Sequence, residues 1–217
     1  MSCFAAPRAV VFDMDGTLLD TEPTYRVAFQ RALGSVGLTA SDAFHAGLVG
    51  IARRDRTAAL RAEFGDAFPL EAFSAAYTAE KCCLLAAGIP VQAGVRSILD
   101  VLDARGLPCA VATSASRVTA LSHLSRTGLL PRFAAVVTRD DVAHGKPHPA
   151  SFLSAAAALG IPPSQCFAVE DSAPGIRAAH AAGMITVMVG PAPDAHTRRH
   201  CRAIVPGLPD AAALFQL

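Results

Sequence analysis

At 217 residues the chain exceeds one typical domain of roughly 150 residues and falls short of two, which suits a full domain with a smaller piece inserted or appended. Hydrophobic residues make up 52%, charged residues 17%, and the net charge is +1; this excludes disorder and offers no electrostatic footprint for nucleic acid. The longest apolar stretches, such as Ala155–Leu159 and Met184–Val189, stop well short of the roughly 20 residues a membrane-spanning helix needs.

The first residues carry Arg8 as their only cation and run straight into a strand-like segment, Ala9–Phe12, so they do not read as a signal peptide. Further short apolar or β-branched runs are expected as strands at Cys109–Thr113, Ala134–Thr138, Cys166–Val169 and Met184–Val189, with a weaker one at Ala203–Val205. Helical patterns lie between them: Val95-Ile98-Leu99-Leu102, Leu121-Leu124 running to Gly128, Phe152-Leu153-Ala156-Leu159 ending at Gly160, and Ile176-Ala179 ending at Gly183. Glycine just past the last periodic residue is a helix stop. Continuously apolar strands alternating with helices predict an α/β fold, a doubly wound parallel (Rossmann-like) sheet covered on both faces.

One interval breaks the alternation. Between the first strand and Gly94 the pattern is helical, with stripes at Tyr25-Phe29-Ala32-Val36 and Leu70-Phe73-Tyr77-Leu84 and no convincing strand. This block is too long for a simple crossover and predicts an inserted helical cap domain. The expected boundaries are 1–19 and 90–217 for the α/β core and 20–89 for the cap. The six cysteines (Cys3, Cys82, Cys83, Cys109, Cys166, Cys201) show no CxxC and no framework spacing. They are expected to be reduced thiols, mostly small core residues, in a cytoplasmic protein. His123, His144, His148, His180, His196 and His200 have no ligand-like spacing and are expected to be solvated or capping.

In doubly wound sheets ligands bind at the carboxyl ends of the strands. The first strand ends in Asp13-Met14-Asp15-Gly16-Thr17. Carboxylates at i and i+2 of an extended chain project to one side, and their repulsion calls for a cation or a proton. The second strand closes with Thr113-Ser114-Ala115-Ser116, which alone is a hydroxyl helix cap but which can also cradle an oxyanion at a helix N-terminus. After the third strand comes Gly145-Lys146-Pro147-His148-Pro149, and the fourth ends in Glu170-Asp171-Ser172, followed by Gly175. Four carboxylates and one ammonium form an oxygen-rich, net anionic nest. Such donors, with no His or Cys among them, favour Mg²⁺ over Zn²⁺, and the set is equipped to hold a phosphate.

Asp13-Met14-Asp15-Gly16-Thr17-Leu18-Leu19-Asp20, with Thr113-Ser114, Lys146-Pro147 and Glu170-Asp171, resembles the four-motif set of the haloacid dehalogenase (HAD) superfamily. The Asp20-Thr21-Glu22-Pro23 continuation and the helical insert that follows it resemble the β-phosphoglucomutase-like group, which includes sugar-phosphate phosphatases. The resemblance implies Asp13 as nucleophile forming an acyl-phosphate and Asp15 as general acid, then base. It implies that Thr113, Ser114, Ala115 and Lys146 hold the phosphate, with either Thr113 or Ser114 as the hydroxyl donor. Mg²⁺ would sit on Asp13, the Asp15 carbonyl and Asp171, with Glu170 directly or through water. Because Asp15 is present, dehalogenase activity is disfavoured.

The cap should choose the substrate. Arg53, following Leu48-Val49-Gly50, matches a cap arginine of β-phosphoglucomutase, and Lys81 matches a cap lysine. Lys81 also lies at the edge of an apolar stripe, where a lysine can simply lay its stem along the core. Tyr25 stands where the mutase pattern has a histidine, a departure that tilts the expectation to a phosphatase. Tyr25, Gly50, Arg53 and Lys81 are therefore candidate substrate contacts. The expected activity is Mg²⁺-dependent hydrolysis of a small phosphorylated metabolite, with a phosphohexomutase as the alternative. The expected partner is that substrate alone, with neither nucleic acid nor membrane, and a monomer is the default expectation.

Overall fold

The computed structural model describes residues 7–48 and 53–214, without the side chains of residues 53 and 54. Successive residues of β1 (Ala9–Phe12) point to opposite faces of the sheet, yet all four are fully buried. That requires cover on both sides, as in a parallel sheet packed between helices. β2 (Cys109–Ala112), β3 (Ala135–Val137), β4 (Cys166–Glu170), β5 (Ile185–Val189) and β6 (Ala203–Val205) complete a six-stranded sheet. All its pairings are parallel, in the order β3-β2-β1-β4-β5-β6. The sheet and its helices are the expected doubly wound α/β architecture.

The helices follow the apolar periodicity. α1 (Glu22–Ser35), α2 (Asp42–Gly47), α3 (Arg53–Phe64) and α4 (Leu70–Ala86) fill the interval without strands. α5 (Val95–Ala104), α6 (Arg117–Arg126), α7 (Ala150–Leu159), α8 (Ala173–Ala181), α9 (Ala195–Arg198) and α10 (Leu208–Leu214) accompany the sheet. Phe152, Ala155 and Ala156 of α7 and Ala178 and Ala179 of α8 pack on Ala9, Val11, Ala110, Ala112 and Ala168. Small residues at these strand positions let the helices approach closely. α7 stops where Gly160 turns left-handed (φ 67°), a conformation that costs glycine little.

The chain divides into two compact units, Met1–Asp20 with Val91–Leu217 and Thr21–Pro90. In the second, Phe29, Ala32 and Leu33 of α1 join Leu60, Phe68 and Phe73 in a separate core. Phe29 is its centre, with Phe73 and Tyr77 edge-on at 5.5 and 6.2 Å between centroids. Among the described residues no helix is long and apolar enough to cross a membrane.

Several expectations need correction. β2 and β3 end one residue before Thr113 and Thr138, and β4 runs one further, to Glu170. In α4 it is Leu85, not Leu84, that is fully buried. The described cysteines are all free, but only Cys109 and Cys166 are core residues, and Cys82 and Cys83 are exposed. His123 is buried rather than solvated, because α6 turns its 123–124 face inward.

Candidate active site

Register brings the strand ends level. Phe12 lies opposite Val111 on one side and Val169 on the other, so Asp13 emerges beside the ends of both β2 and β4. β1 is also where the winding reverses, with β2 on one flank and β4 on the other. Such a switch point opens a crevice at the carboxyl edge of a parallel sheet.

Lys146 is the centre of the cluster. Its Nζ donates to Asp13 Oδ1 at 2.5 Å and to Glu170 Oε1 at 2.6 Å, and it stands 5.0 Å from the centre of the Phe152 ring. All three charged side chains are buried. Burial works to lower the Lys146 pKa, but the charges of Asp13 and Glu170 outweigh it and hold the ammonium protonated. Two effects oppose each other at Asp13: burial pushes its carboxyl well above the usual range, while Lys146 pulls it down. Glu170 and Asp171 add to the upward push. One ammonium does not neutralise this many acids.

Asp171 shares the same surroundings. Burial, followed by the charge of Glu170, lifts its carboxyl to about 7, against a hydrogen bond from Thr17 Oγ1 to its Oδ1 at 3.0 Å. Gly16 makes the fit possible. Its φ is 90°, and a Cβ there would sit 2.1 Å from Asp171 Oδ2, so any side chain would strain the backbone and displace the acid. Glu170 is fixed from its other oxygen, which accepts the Ser172 N–H at 2.7 Å and the Ser172 hydroxyl at 2.8 Å. Ser172 in turn caps α8, its Oγ accepting from the Gly175 N–H at 3.1 Å. A Cβ on Gly175 would lie 1.6 Å from Glu170 Oε1.

The loop after β2 is folded on itself. Thr113 is buried, and its Oγ1 accepts the Ala115 N–H at 3.0 Å. The Ala115 amide is thus engaged within the loop. α6 also spends N-terminal amides: Ser116 Oγ takes the Thr119 N–H at 3.3 Å, and Asp140 Oδ2 takes the Arg117 N–H at 2.8 Å. Ser114 is exposed, and neither its N–H nor its hydroxyl has a protein partner among the described residues. The Met14 N–H, beside Asp13, is likewise unpartnered there. Met14 is buried, and buried peptide N–H groups are rarely left so; an anionic oxygen would satisfy it and would also suit the exposed Ser114 donors.

Donor chemistry fits a hard divalent cation. Asp13, Asp171 and the Asp15 carbonyl offer oxygen alone, and burial penalises the two acids in the absence of a further positive charge. Both oxygens of Glu170 already serve Lys146 and Ser172, which suits a ligand acting through water. Among the described residues no three acids, histidines or cysteines stand ready-made around one point; the carboxylates are gathered, not converged.

Of the expected residues, the structure brings Asp13, Lys146, Glu170 and Asp171 together, with Thr17 and Gly16 against Asp171. Asp15 is half-buried and bridges to Leu19. Tyr25 and Lys81 belong to the helical unit, where Lys81 Nζ stands 4.5 Å from the centre of the Tyr77 ring and 5.4 Å from that of Tyr25. Gly50 and the side chain of Arg53 lie outside the described residues; Arg53 opens α3. Sequence reasoning placed Ser172 in the fourth strand-end motif but gave it no role, although a serine three residues before Gly175 is a legible helix cap. It missed Gln92, whose Nε2 donates to the Gly16 carbonyl at 3.1 Å; nothing local in the sequence marks that contact.

Comparison with known proteins adds an independent line. The haloacid dehalogenase-like hydrolase family matches residues 7–183. The chain is 37% identical over 183 residues to fructose-1-phosphate phosphatase YqaB of Escherichia coli, covering 83% of this chain and 95% of that protein. It is 33% identical over 176 residues to a phosphorylated carbohydrates phosphatase of Thermotoga maritima, covering 81% and 82%. Among solved structures, CbbY from Rhodobacter sphaeroides in complex with phosphate superposes with a TM-score of 0.77 at 27% identity, covering 93% of this chain and 95% of that one.

Proposed function

The chain belongs to the haloacid dehalogenase-like hydrolases, and on that premise we propose that it is a Mg²⁺-dependent phosphatase. Its substrate is a small phosphorylated metabolite, a sugar phosphate, and it works through an aspartyl-phosphate on Asp13. The observation that carries this reading is the buried Lys146 ammonium shared between Asp13 and Glu170, facing the same strand ends as the unpartnered Ser114 donors. The relatives that hydrolyse phosphorylated sugars support the substrate class.

An Asp13 carboxylate oxygen attacks phosphorus, and the bond from phosphorus to the sugar oxygen breaks. Asp15 gives its proton to the departing alkoxide, then takes one from the water that opens the acyl-phosphate. Inorganic phosphate leaves and Asp13 is regenerated. The transferring group passes through a loose, charge-spread transition state, so positioning and charge supply most of the catalysis. Lys146 holds Asp13 in place and offsets charge on the phosphoryl oxygens. Ser114 donates to those oxygens, and Thr113 keeps the loop closed through its bond to Ala115. Asp13, the Asp15 carbonyl and Asp171, with Glu170 through water, would hold Mg²⁺, which would supply charge withdrawal from phosphorus. The helical unit acts as the cap, with Tyr25, Gly50, Arg53 and Lys81 assigned to the rest of the substrate.

The test is phosphate release from fructose 1-phosphate, other hexose phosphates, phosphoglycolate and nucleotides, with Mg²⁺ and with EDTA. Turnover of sugar phosphates that EDTA abolishes and Mg²⁺ restores is expected. No release from any sugar phosphate, or full activity without metal, would overturn the reading. Isomerisation of a hexose phosphate dependent on a bisphosphate activator would replace it with the mutase.

A further inference from the structure

The loop after β2 does not stand alone; it is laced to the turn after β3. The Thr113 N–H donates to the Val137 carbonyl at 2.9 Å, and the Arg139 N–H to the Ala115 carbonyl at 3.1 Å. Asp140 Oδ2 then accepts the Arg117 N–H at 2.8 Å. Arg117 is the first residue of α6, so this bond satisfies one of the orphan N–H groups at the helix start and places a negative charge at its positive end. The neighbouring acid pins the turn. Asp141 Oδ2 accepts the Thr138 N–H at 2.8 Å and the Thr138 hydroxyl at 2.7 Å, and its other oxygen meets the Arg117 guanidinium.

We propose that Asp140 is a positioning residue that, from the turn after β3, holds the Thr113–Ser116 loop so that Ser114 is the donor group presented to the substrate's phosphoryl oxygens. The proposal rests on the reading above, in which this loop receives the phosphate. Its logic is one of occupancy. A helix N-terminus attracts any anion, and the start of α6 lies one residue beyond the loop. With Asp140 on the Arg117 N–H, an incoming phosphate finds that amide taken and the Ser114 N–H and hydroxyl free. Asp140 therefore both fixes the loop and steers the anion away from the helix end. Asp140 is solvent-exposed, which makes its removal tolerable to the fold.

The test compares Asp140→Ala with Asp140→Asn, whose amide oxygen can still accept the Arg117 N–H. In Asp140→Ala, amide hydrogen exchange over residues 113–117 should accelerate about tenfold, the loss of one charge-assisted hydrogen bond. KM for the best sugar phosphate and the inhibition constant of inorganic phosphate should both rise about tenfold, with kcat less affected. Asp140→Asn should recover most of each effect, which a general loss of stability would not produce. Unchanged exchange over 113–117, or an Asn variant as impaired as the Ala variant, would overturn the proposal. The two readings fail separately. Full activity with unchanged exchange in Asp140→Ala sinks the positioning role and leaves the phosphatase standing. An inert wild-type chain whose loop still loosens in Asp140→Ala sinks the phosphatase and supports the hold of Asp140 on the loop.

Discussion

The Lys146 ammonium stands 2.5 Å from Asp13 Oδ1, a pairing across 133 residues of sequence that puts a permanent cation on the proposed nucleophile. The same ammonium touches Glu170, so replacing it strands two buried carboxylates. Lys146→Met should cost about 3–5 kcal/mol of stability, the usual penalty for breaking a buried ion pair, and remove activity by about a thousandfold or more. Lys146→Arg should not restore activity, since the wider guanidinium must fit between Phe152 and two acids in a buried site. Thermal unfolding and steady-state kinetics of both variants check this.

Stability should respond to metal with a definite sign. Asp171 is raised to about 7 in the metal-free fold, by burial first and then by Glu170. Between its ordinary range and that value the folded state binds more protons than the unfolded one, so the contribution of Asp171 to stability is full at acid pH and is lost as pH rises through about 7. Mg²⁺ at a hundredfold excess over Kd should return about 2.7 kcal/mol, worth about 5 °C or more in Tm. In Asp171→Asn both the pH slope and the Mg²⁺ response should shrink. Calorimetry from pH 4 to about 8, with and without Mg²⁺, reads both.

Two glycines make a steric prediction. Gly16→Ala puts a Cβ 2.1 Å from Asp171 Oδ2 and Gly175→Ala one 1.6 Å from Glu170 Oε1. Each must push an acid out of place, so each should abolish most turnover. Gly16→Ala also forces alanine to φ 90°, adding about 1 kcal/mol or more of backbone strain. The nearby Gly145, whose Cβ would meet nothing within 4 Å, is the control; Gly145→Ala should leave kcat within about threefold.

The helical unit carries its own pH dependence. Burial, followed by Arg26, lowers the His45 pKa below its ordinary value, with Asp42 opposing. Its Nδ1 lies 3.5 Å from Glu22 Oε1, but with the pKa lowered this contact is made by a neutral imidazole near pH 7. The unfolded chain protonates first on acidification, so the contribution of His45 to stability falls as pH drops below about 6.5, opposite in sign to that of Asp171. His45→Gln should flatten that slope in thermal melts.

Lys81 separates recognition from packing. Its cation sits over the Tyr77 and Tyr25 rings, which by itself is worth about 0.5–1 kcal/mol. If the cation also reads a second anionic group, Lys81→Met should lower specificity for a bisphosphorylated sugar about thirtyfold while sparing an aryl phosphate. Equal, small effects on both would leave Lys81 a packing residue.

Much of this was legible in the chain. The apolar runs at Ala9–Phe12 and Ala203–Val205 correspond residue for residue to strands; for β1 the reason is burial on both faces, which selects apolar side chains. Acids and lysine at strand ends pointed to the site, since polar residues that break an apolar run must find partners. What stayed hidden was contact between distant segments. The hold of Gln92 on Gly16 and of Asp140 on Arg117 depends on where loops fall once the sheet has formed. The occupied amides of Ala115 and Arg117 could not be read from a Thr-Ser-Ala-Ser run that looks equally suited to capping and to anion binding.

Whether Asp13 carries the phosphoryl group is read by mass spectrometry of the acid-quenched, Mg²⁺-loaded protein during turnover. A phosphorylated peptide containing Asp13 is expected, absent in Asp13→Asn, whose turnover falls below detection. Phosphate release with no modification on that peptide, and an Asp13→Asn variant within about tenfold of wild type, would contradict that role for Asp13.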